Sequence, residues 1–219
     1  MALPDLIIFD CDGVLIDSEI IACRVHAEVL TGLGYPITAA EVNRRFVGVS
    51  AADMSALLER DWGRPLPGDY LGRVDDALLL AFRSELHAIA GVAAVLAALP
   101  QARCVASNSD PEYLRFALEH TGLAPYFQSN VFSAAMVARG KPAPDLFLLA
   151  ASRLGAAPAH CLVIEDSVSG VRAARAAGMR VFGFCGGGHC GPDHGSRLLG
   201  EGAALVFRNM SELPGVLDQ

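Results

Sequence analysis

The chain has 219 residues, 53% of them apolar, and a formal net charge of -7. That is enough chain and apolar surface for one large domain, or for a core plus a smaller module. The acid excess argues against non-specific nucleic-acid binding, which needs a basic face, but a local lysine, a cation and backbone N–H groups still bind phosphate inside an acidic protein. No apolar run approaches a membrane span, and the N-terminus lacks a basic segment followed by an apolar signal region, so a cytoplasmic location is expected. Cys11, Cys23, Cys104, Cys161, Cys185 and Cys190 sit in apolar or strand-like contexts and read as reduced thiols, mostly filling the core.

The first element is a buried strand, Leu6 to Phe9, whose short apolar run leads directly into Asp10. After Leu15 the pattern becomes helical. Asp17 and Ser18 cap a helix running to about Leu33, where Gly34 stops it. Thr38 with Glu41 makes a capping box for a second helix, and Ser50 with Asp53 starts a third that ends near Trp62. Leu71, Val74, Leu78, Leu79, Phe82 and Leu86 recur at helical spacing and give a fourth. The span from Asp17 to Leu86 is therefore an all-helical insertion after the first strand.

From Gly91 onward, helices and strands alternate. Strands are expected at Arg103 to Ala106, Asn130 to Phe132, Cys161 to Ile164 and Val181 to Phe184, with Leu205 to Phe207 as one more. Helices are expected at Val92 to Leu99, after the Asp110 cap with Pro111 at its first position, at Pro144 to Leu154 and at Ser167 to Ala177. Such alternation predicts an α/β protein with a parallel sheet and helices on both faces.

Polar clusters follow the strand ends, where chemistry in such sheets is found. Asp10 and Asp12 fall two apart, so a strand-like backbone points both carboxylates to one side, and Gly13 allows the turn. Paired carboxylates call for a cation or protons between them; a plain solvated Asp-x-Asp-Gly turn also closes strands, and this segment alone leaves both readings open. Ser107-Asn108-Ser109 offers a hydroxyl and free N–H groups as an anion cradle, or simply a helix cap. Lys141 lies between Gly140 and Pro142 in a rigid loop, and exposed lysine is the commoner fate of the residue. Glu165 and Asp166 suit a helix start, and with Asp10 and Asp12 they complete an oxygen-ligand site for Mg2+.

The ordered set DxDGV, VxSxS, KPAPD and EDS, each at a strand end, resembles the haloacid dehalogenase superfamily, in the subgroup with a small helical cap that includes phosphatases and β-phosphoglucomutases. The resemblance implies a Rossmann-like core at residues 1–16 and 87–219 and a cap at 17–86 that covers the active site and selects the leaving group. It implies a Mg2+-dependent phosphatase in which Asp10 takes the phosphoryl group and Asp12 serves as acid and then base. Asp10, the backbone carbonyl of Asp12, Asp166 and Glu165 would hold Mg2+; Ser107, Lys141 and Asn108 would hold phosphoryl oxygens. The phrases DCDG, LIDSE, RFVGV, SELHAIAG and GMRVFGFC look most like sugar-phosphate phosphatases of the 6-phosphogluconate phosphatase kind. Arg44, Arg45 and the turn Gly48-Val49-Ser50 are candidates for substrate contacts, with a solvated helix end as the alternative for either arginine. The expected partner is a small phosphomonoester, with the chain acting as a monomer and without nucleic acid or membrane.

A sugar phosphomutase is the alternative enzyme. The histidine, lysine and arginine positions that mutases of this family use fall here at Ala22, Val47 and Ala51, which argues for hydrolysis; His26, one turn beyond Ala22, is the one side chain placed to substitute. A catalytically inactive phosphate-binding module is the alternative of another class, opposed by the full set Asp10, Asp12, Lys141 and Asp166. Cys185, His189, Cys190 and His194 crowd a glycine-rich loop from Gly186 to Gly195 that matches no family motif; thiolate and imidazole ligands suit zinc, while a flexible loop is the plainer expectation.

Overall fold

The computed structural model describes residues 3–49 and 51–217. The chain divides into two compact units, residues 18–86 and residues 1–17 with 87–219.

The second of these carries a six-stranded sheet: β1 (Leu6–Phe9), β2 (Ala102–Ser107), β3 (Val131–Ser133), β4 (Cys161–Glu165), β5 (Arg180–Phe184) and β6 (Leu205–Phe207). Their order is β3-β2-β1-β4-β5-β6, every pairing parallel. This is the Rossmann-like order, whose switch point lies between β1 and β4. The four residues of β1 are at most 1% exposed because the strand is central and covered on both faces. Alternation sends Leu6 and Ile8 into one core cluster, while the ring of Phe9 meets that of Phe127 edge to face at 6.1 Å.

The 18–86 unit is all helical: α1 (Ser18–Gly32), α2 (Ala39–Phe46), α3 (Ala51–Trp62) and α4 (Tyr70–Glu85). Thr38 and Glu41 form the expected capping box on α2. Ser50, the expected cap of α3, lies outside the described residues. Cys23, Leu30, Val42, Phe46, Leu58 and Val74 form the unit's own core. Leu71 and Leu79 share the helical spacing of α4 but are about half exposed, at 48% and 45%. Asp17, expected in the insertion, belongs to the sheet-bearing unit: its N–H donates to His87 O at 3.1 Å, and its Oδ1 accepts from Gly188 N at 2.9 Å.

The remaining helices are α5 (Val92–Ala98), α6 (Pro111–His120), α7 (Ala124–Phe127), α8 (Asp145–Arg153), α9 (Val168–Ala176), α10 (His194–Gly200) and α11 (Leu213–Leu217). Asp110 caps α6 by accepting from Glu112 N, and Pro111 opens it. Three short helices, α7, α10 and α11, were not legible in the sequence. α7 and α11, of four and five residues, give too little periodicity, and α10 continues a glycine-rich stretch; it is held by Leu198, fully buried against the sheet-side core. The third strand sits one residue later than expected because Asn130 is already a loop residue whose carbonyl accepts from Val105 N. No helix among the described residues is long and apolar enough to cross a membrane.

Candidate active site

Strand register assembles the site. Phe9 of β1 pairs with Ile164 of β4, so the next residues, Asp10 and Glu165, emerge side by side at the strand ends. Asp10 N still donates to Ile164 O at 3.0 Å, which fixes its backbone in line with the sheet. Lys141 arrives from the loop before α8 and closes the group: its Nζ lies 2.7 Å from Asp10 Oδ1 and 2.7 Å from Glu165 Oε2. The lysine side chain is 3% exposed and that of Glu165 is fully buried, so the ion pairs lie out of water. A buried charge of this kind is retained only when paired and hydrogen-bonded.

Asp10, Glu165 and Asp166 each offer a carboxylate oxygen, all within 4.8 Å of one another. Burial, and then the Glu165 charge, push the Asp10 carboxyl well above its usual range; Lys141 pulls the other way, and Asp166 and Asp12 add to the rise. Burial works to lower the Lys141 ammonium, but Asp10 and Glu165 outweigh it and hold its pKa above the ordinary value. One ammonium among three close carboxylates leaves a surplus of negative charge. An all-oxygen donor set with that surplus fits a small hard cation.

Two glycines make the cluster possible. A Cβ on Gly13, at φ +75°, would fall 1.9 Å from Asp166 Oδ2, and one on Gly170 would fall 1.9 Å from Glu165 Cδ. Glu165 is further held through Oε1, which accepts from Ser167 Oγ at 2.7 Å and from Ser167 N at 3.1 Å.

The carboxylate of Asp12 is turned to other partners, so Asp12 joins the acidic trio by neither oxygen. Ser109 Oγ donates to its Oδ2 at 2.6 Å and Tyr113 OH to its Oδ1 at 2.8 Å. Ser107 is buried and its Oγ accepts from Ser109 N at 3.1 Å. Asn108 spends its carboxamide on the backbone of Lys141: Nδ2 donates to Lys141 O at 3.0 Å and Oδ1 accepts from Lys141 N at 2.9 Å. It acts as a clamp on the lysine loop.

Arg45 belongs to the helical unit and is engaged there. Its guanidinium donates to Tyr35 OH at 3.2 Å, pairs with Asp61 and lies 4.6 Å over the Phe46 ring. Arg44 is exposed. His26 is half-buried, with Nδ1 3.0 Å from Tyr70 OH in the same unit. The proposed turn at Gly48-Val49-Ser50 runs partly outside the described residues.

Sequence reading missed Tyr113 and underused Ser109. Ser109 carried a signal, since it follows a strand end two residues after Ser107; Tyr113 stands 101 residues from Asp12 and carried none. His189 was flagged only for zinc, yet its Nε2 is 3.0 Å from Asp166 Oδ2. The cysteines are all free, and burial pushes the Cys11 thiol well up, so it stays protonated core filling beside the aspartates.

The strand order, with lysine-bridged carboxylates at its switch point, defines a Rossmann-like protein with a buried acidic cluster at its strand ends. A family model for haloacid dehalogenase-like hydrolases matches residues 4–178, and the chain belongs to that family. It is 31% identical over 217 residues to 6-phosphogluconate phosphatase of Escherichia coli K12, covering 98% of this chain and 95% of the relative. A solved haloacid dehalogenase-like protein of unknown function from Agrobacterium tumefaciens superposes with a TM-score of 0.92 at 42% identity, over 98% of this chain and 97% of that one. A HAD family hydrolase from Deinococcus radiodurans, solved with phosphate and sodium bound, gives 0.87 at 34% identity, over 99% and 96%. With this membership the chain is a phosphoric monoester hydrolase.

Proposed function

We propose that the chain hydrolyses a sugar phosphate or sugar-acid phosphate through an aspartyl-phosphate on Asp10, with Mg2+ as cofactor. The observation that carries the reading is the buried bridge from Lys141 to Asp10 and Glu165 beside Asp166. Asp10 and Asp166, with Glu165 directly or through water, are the side chains that would hold Mg2+, together with the Asp12 carbonyl. Bound there, the ion neutralises carboxylate charge and charge developing on the phosphoryl oxygens.

The Asp10 carboxylate attacks phosphorus; an O–P bond forms to Asp10 and the bond to the sugar oxygen breaks. Asp12, protonated at this step, gives its proton to the departing oxygen. Ser109 and Tyr113 fix the direction of that carboxyl group. In the second half Asp12 takes a proton from water, water attacks phosphorus, and the Asp10–phosphorus bond breaks to release phosphate. Lys141 and Ser107 stabilise the non-bridging oxygens, and Asn108 keeps the lysine loop in place.

The substrate class rests on the likeness to 6-phosphogluconate phosphatase along nearly the full chain. The test is phosphate release across a panel of sugar phosphates, sugar-acid phosphates and nucleotides, with and without Mg2+. Preference for the first two classes, lost on chelation, is the expected result. Equal turnover of nucleotides, or full activity after exhaustive chelation, would overturn the assignment.

A further inference from the structure

The loop from Gly186 to Gly195 leads from β5 into α10, and the structure gives it a defined course. Gly188 N donates to Asp17 Oδ1 at 2.9 Å, Cys190 N to Gly187 O at 3.0 Å and His194 N to Gly191 O at 3.1 Å. His189 is 4% exposed, while Cys190 and His194 are half-buried. One ligand atom from each of these three side chains lies within 4.8 Å of the other two. His189 Nε2 and Cys190 Sγ are 3.4 Å apart. The rings of His189 and His194 meet edge to face with centroids 5.3 Å apart.

These separations suit a tetrahedral ion. Zn–S near 2.3 Å and Zn–N near 2.0–2.1 Å place the sulfur and nitrogen ligands about 3.6 Å apart at the tetrahedral angle. Two imidazoles and a thiolate prefer a borderline-soft ion, whereas Asp10, Glu165 and Asp166 offer only hard oxygen. The hydrolytic scheme leaves Cys190 without a task.

We propose that His189, Cys190 and His194 form a second cation site, for a borderline-soft divalent ion such as Zn2+, with water in the fourth position. The two sites are coupled through Asp166. His189 Nε2 lies 3.0 Å from Asp166 Oδ2, and His194 Nε2 donates to the Asp166 carbonyl at 2.5 Å. Binding an ion through His189 Nε2 withdraws that nitrogen from Asp166 and adds positive charge beside the acidic trio. Occupation of the second site therefore weakens cation binding at the first, and the first weakens the second by the same factor.

The test uses Co2+ as a spectroscopic stand-in for Zn2+, added to the full chain under saturating Mg2+. One Co2+ per chain should bind with a thiolate-to-metal charge-transfer absorption and tetrahedral ligand-field bands, and Zn2+ should bleach both. Cys190→Ala should abolish the charge-transfer absorption and weaken Zn2+ binding about 100-fold or more, since losing a direct ligand costs at least what losing its support does. The same variant should keep its basal Mg2+-supported turnover. His194→Ala should weaken Zn2+ binding similarly, with circular dichroism checking that it folds; Cys190→Ala carries the decision if it does not. An all-oxygen Co2+ spectrum in the wild type, a charge-transfer absorption that survives Cys190→Ala, or unchanged Zn2+ affinity in that variant would overturn the site. None of these readouts depends on which phosphomonoester is cleaved.

Discussion

Replacing Lys141 by methionine isolates the electrostatic role of the lysine. Methionine fills similar volume and suits the Phe147 ring, over which Nζ now lies at 4.9 Å. The change removes the ammonium shared by Asp10 and Glu165, whose side chains are 11% and 0% exposed. Breaking a buried pair by deleting one partner costs about 3–5 kcal/mol, because the remaining charge is left uncompensated. At about 2–4 °C per kcal/mol for a chain of this size, melting should fall by roughly 6–20 °C. The pH dependence separates charge from packing. Lys141 has a raised pKa in the fold, so its contribution is complete below the ordinary lysine value and is lost only as pH rises through the raised one. The lysine itself therefore stays charged from about pH 5 to about pH 8, and any pH dependence of the deficit comes from the carboxylates. Without it, burial and the Glu165 charge hold Asp10 still further up, so acid protonates the cluster and relieves the repulsion. Differential scanning calorimetry of metal-free protein should show a smaller deficit at about pH 5 than at about pH 8. Added Mg2+ should recover part of the loss at the higher pH. A deficit under about 3 °C, or one identical at both pH values, would refute the charge argument.

Asp10→Asn should abolish turnover by orders of magnitude, since an amide is a far poorer nucleophile; steady-state phosphate release checks this. Because the raised pKa makes ionised Asp10 a cost that appears as pH rises through it, the same variant should melt higher than the wild type in metal-free buffer at neutral pH, with the gap closing in acid. Tyr113→Phe removes one hydrogen bond to a carboxylate, about 1.5–3 kcal/mol, and should lower kcat roughly 10- to 100-fold with little change in melting temperature; an unchanged kcat would remove Tyr113 from the scheme. Mg2+ should support activity and Ca2+ should inhibit, because its looser coordination misplaces the attacking carboxylate; metal-reconstitution kinetics test the pair. With β-glucose 1-phosphate and a trace of the bisphosphate, inorganic phosphate should outpace glucose 6-phosphate. Ala22, Val47 and Ala51 supply no charge for the second phosphate, and His26 is engaged with Tyr70.

The sequence by itself determined the α/β alternation, the helical insertion and the acidic residues that gather at the strand ends, for one physical reason: each signal is local. Leu6 to Phe9 reads as a buried strand from four consecutive residues, and Asp10, Asp12, Glu165 and Asp166 declare themselves by following such runs. Thr38 and Glu41 announce their capping box within four residues. Tertiary structure decided whatever depends on two distant segments meeting. Sheet register, and not spacing, sets Asp10 beside Glu165, and a loop more than 130 residues from Asp10 brings Lys141 onto both. Packing set the Asn108 carboxamide on the backbone of Lys141 and the Asp12 carboxylate against Ser109 and Tyr113. The course of the glycine-rich loop was not legible because glycine carries no periodic signal. That course is set by contacts with Asp17, more than 170 residues earlier, and by the buried His189, which meet only once the sheet has brought the ends of β1, β4 and β5 together.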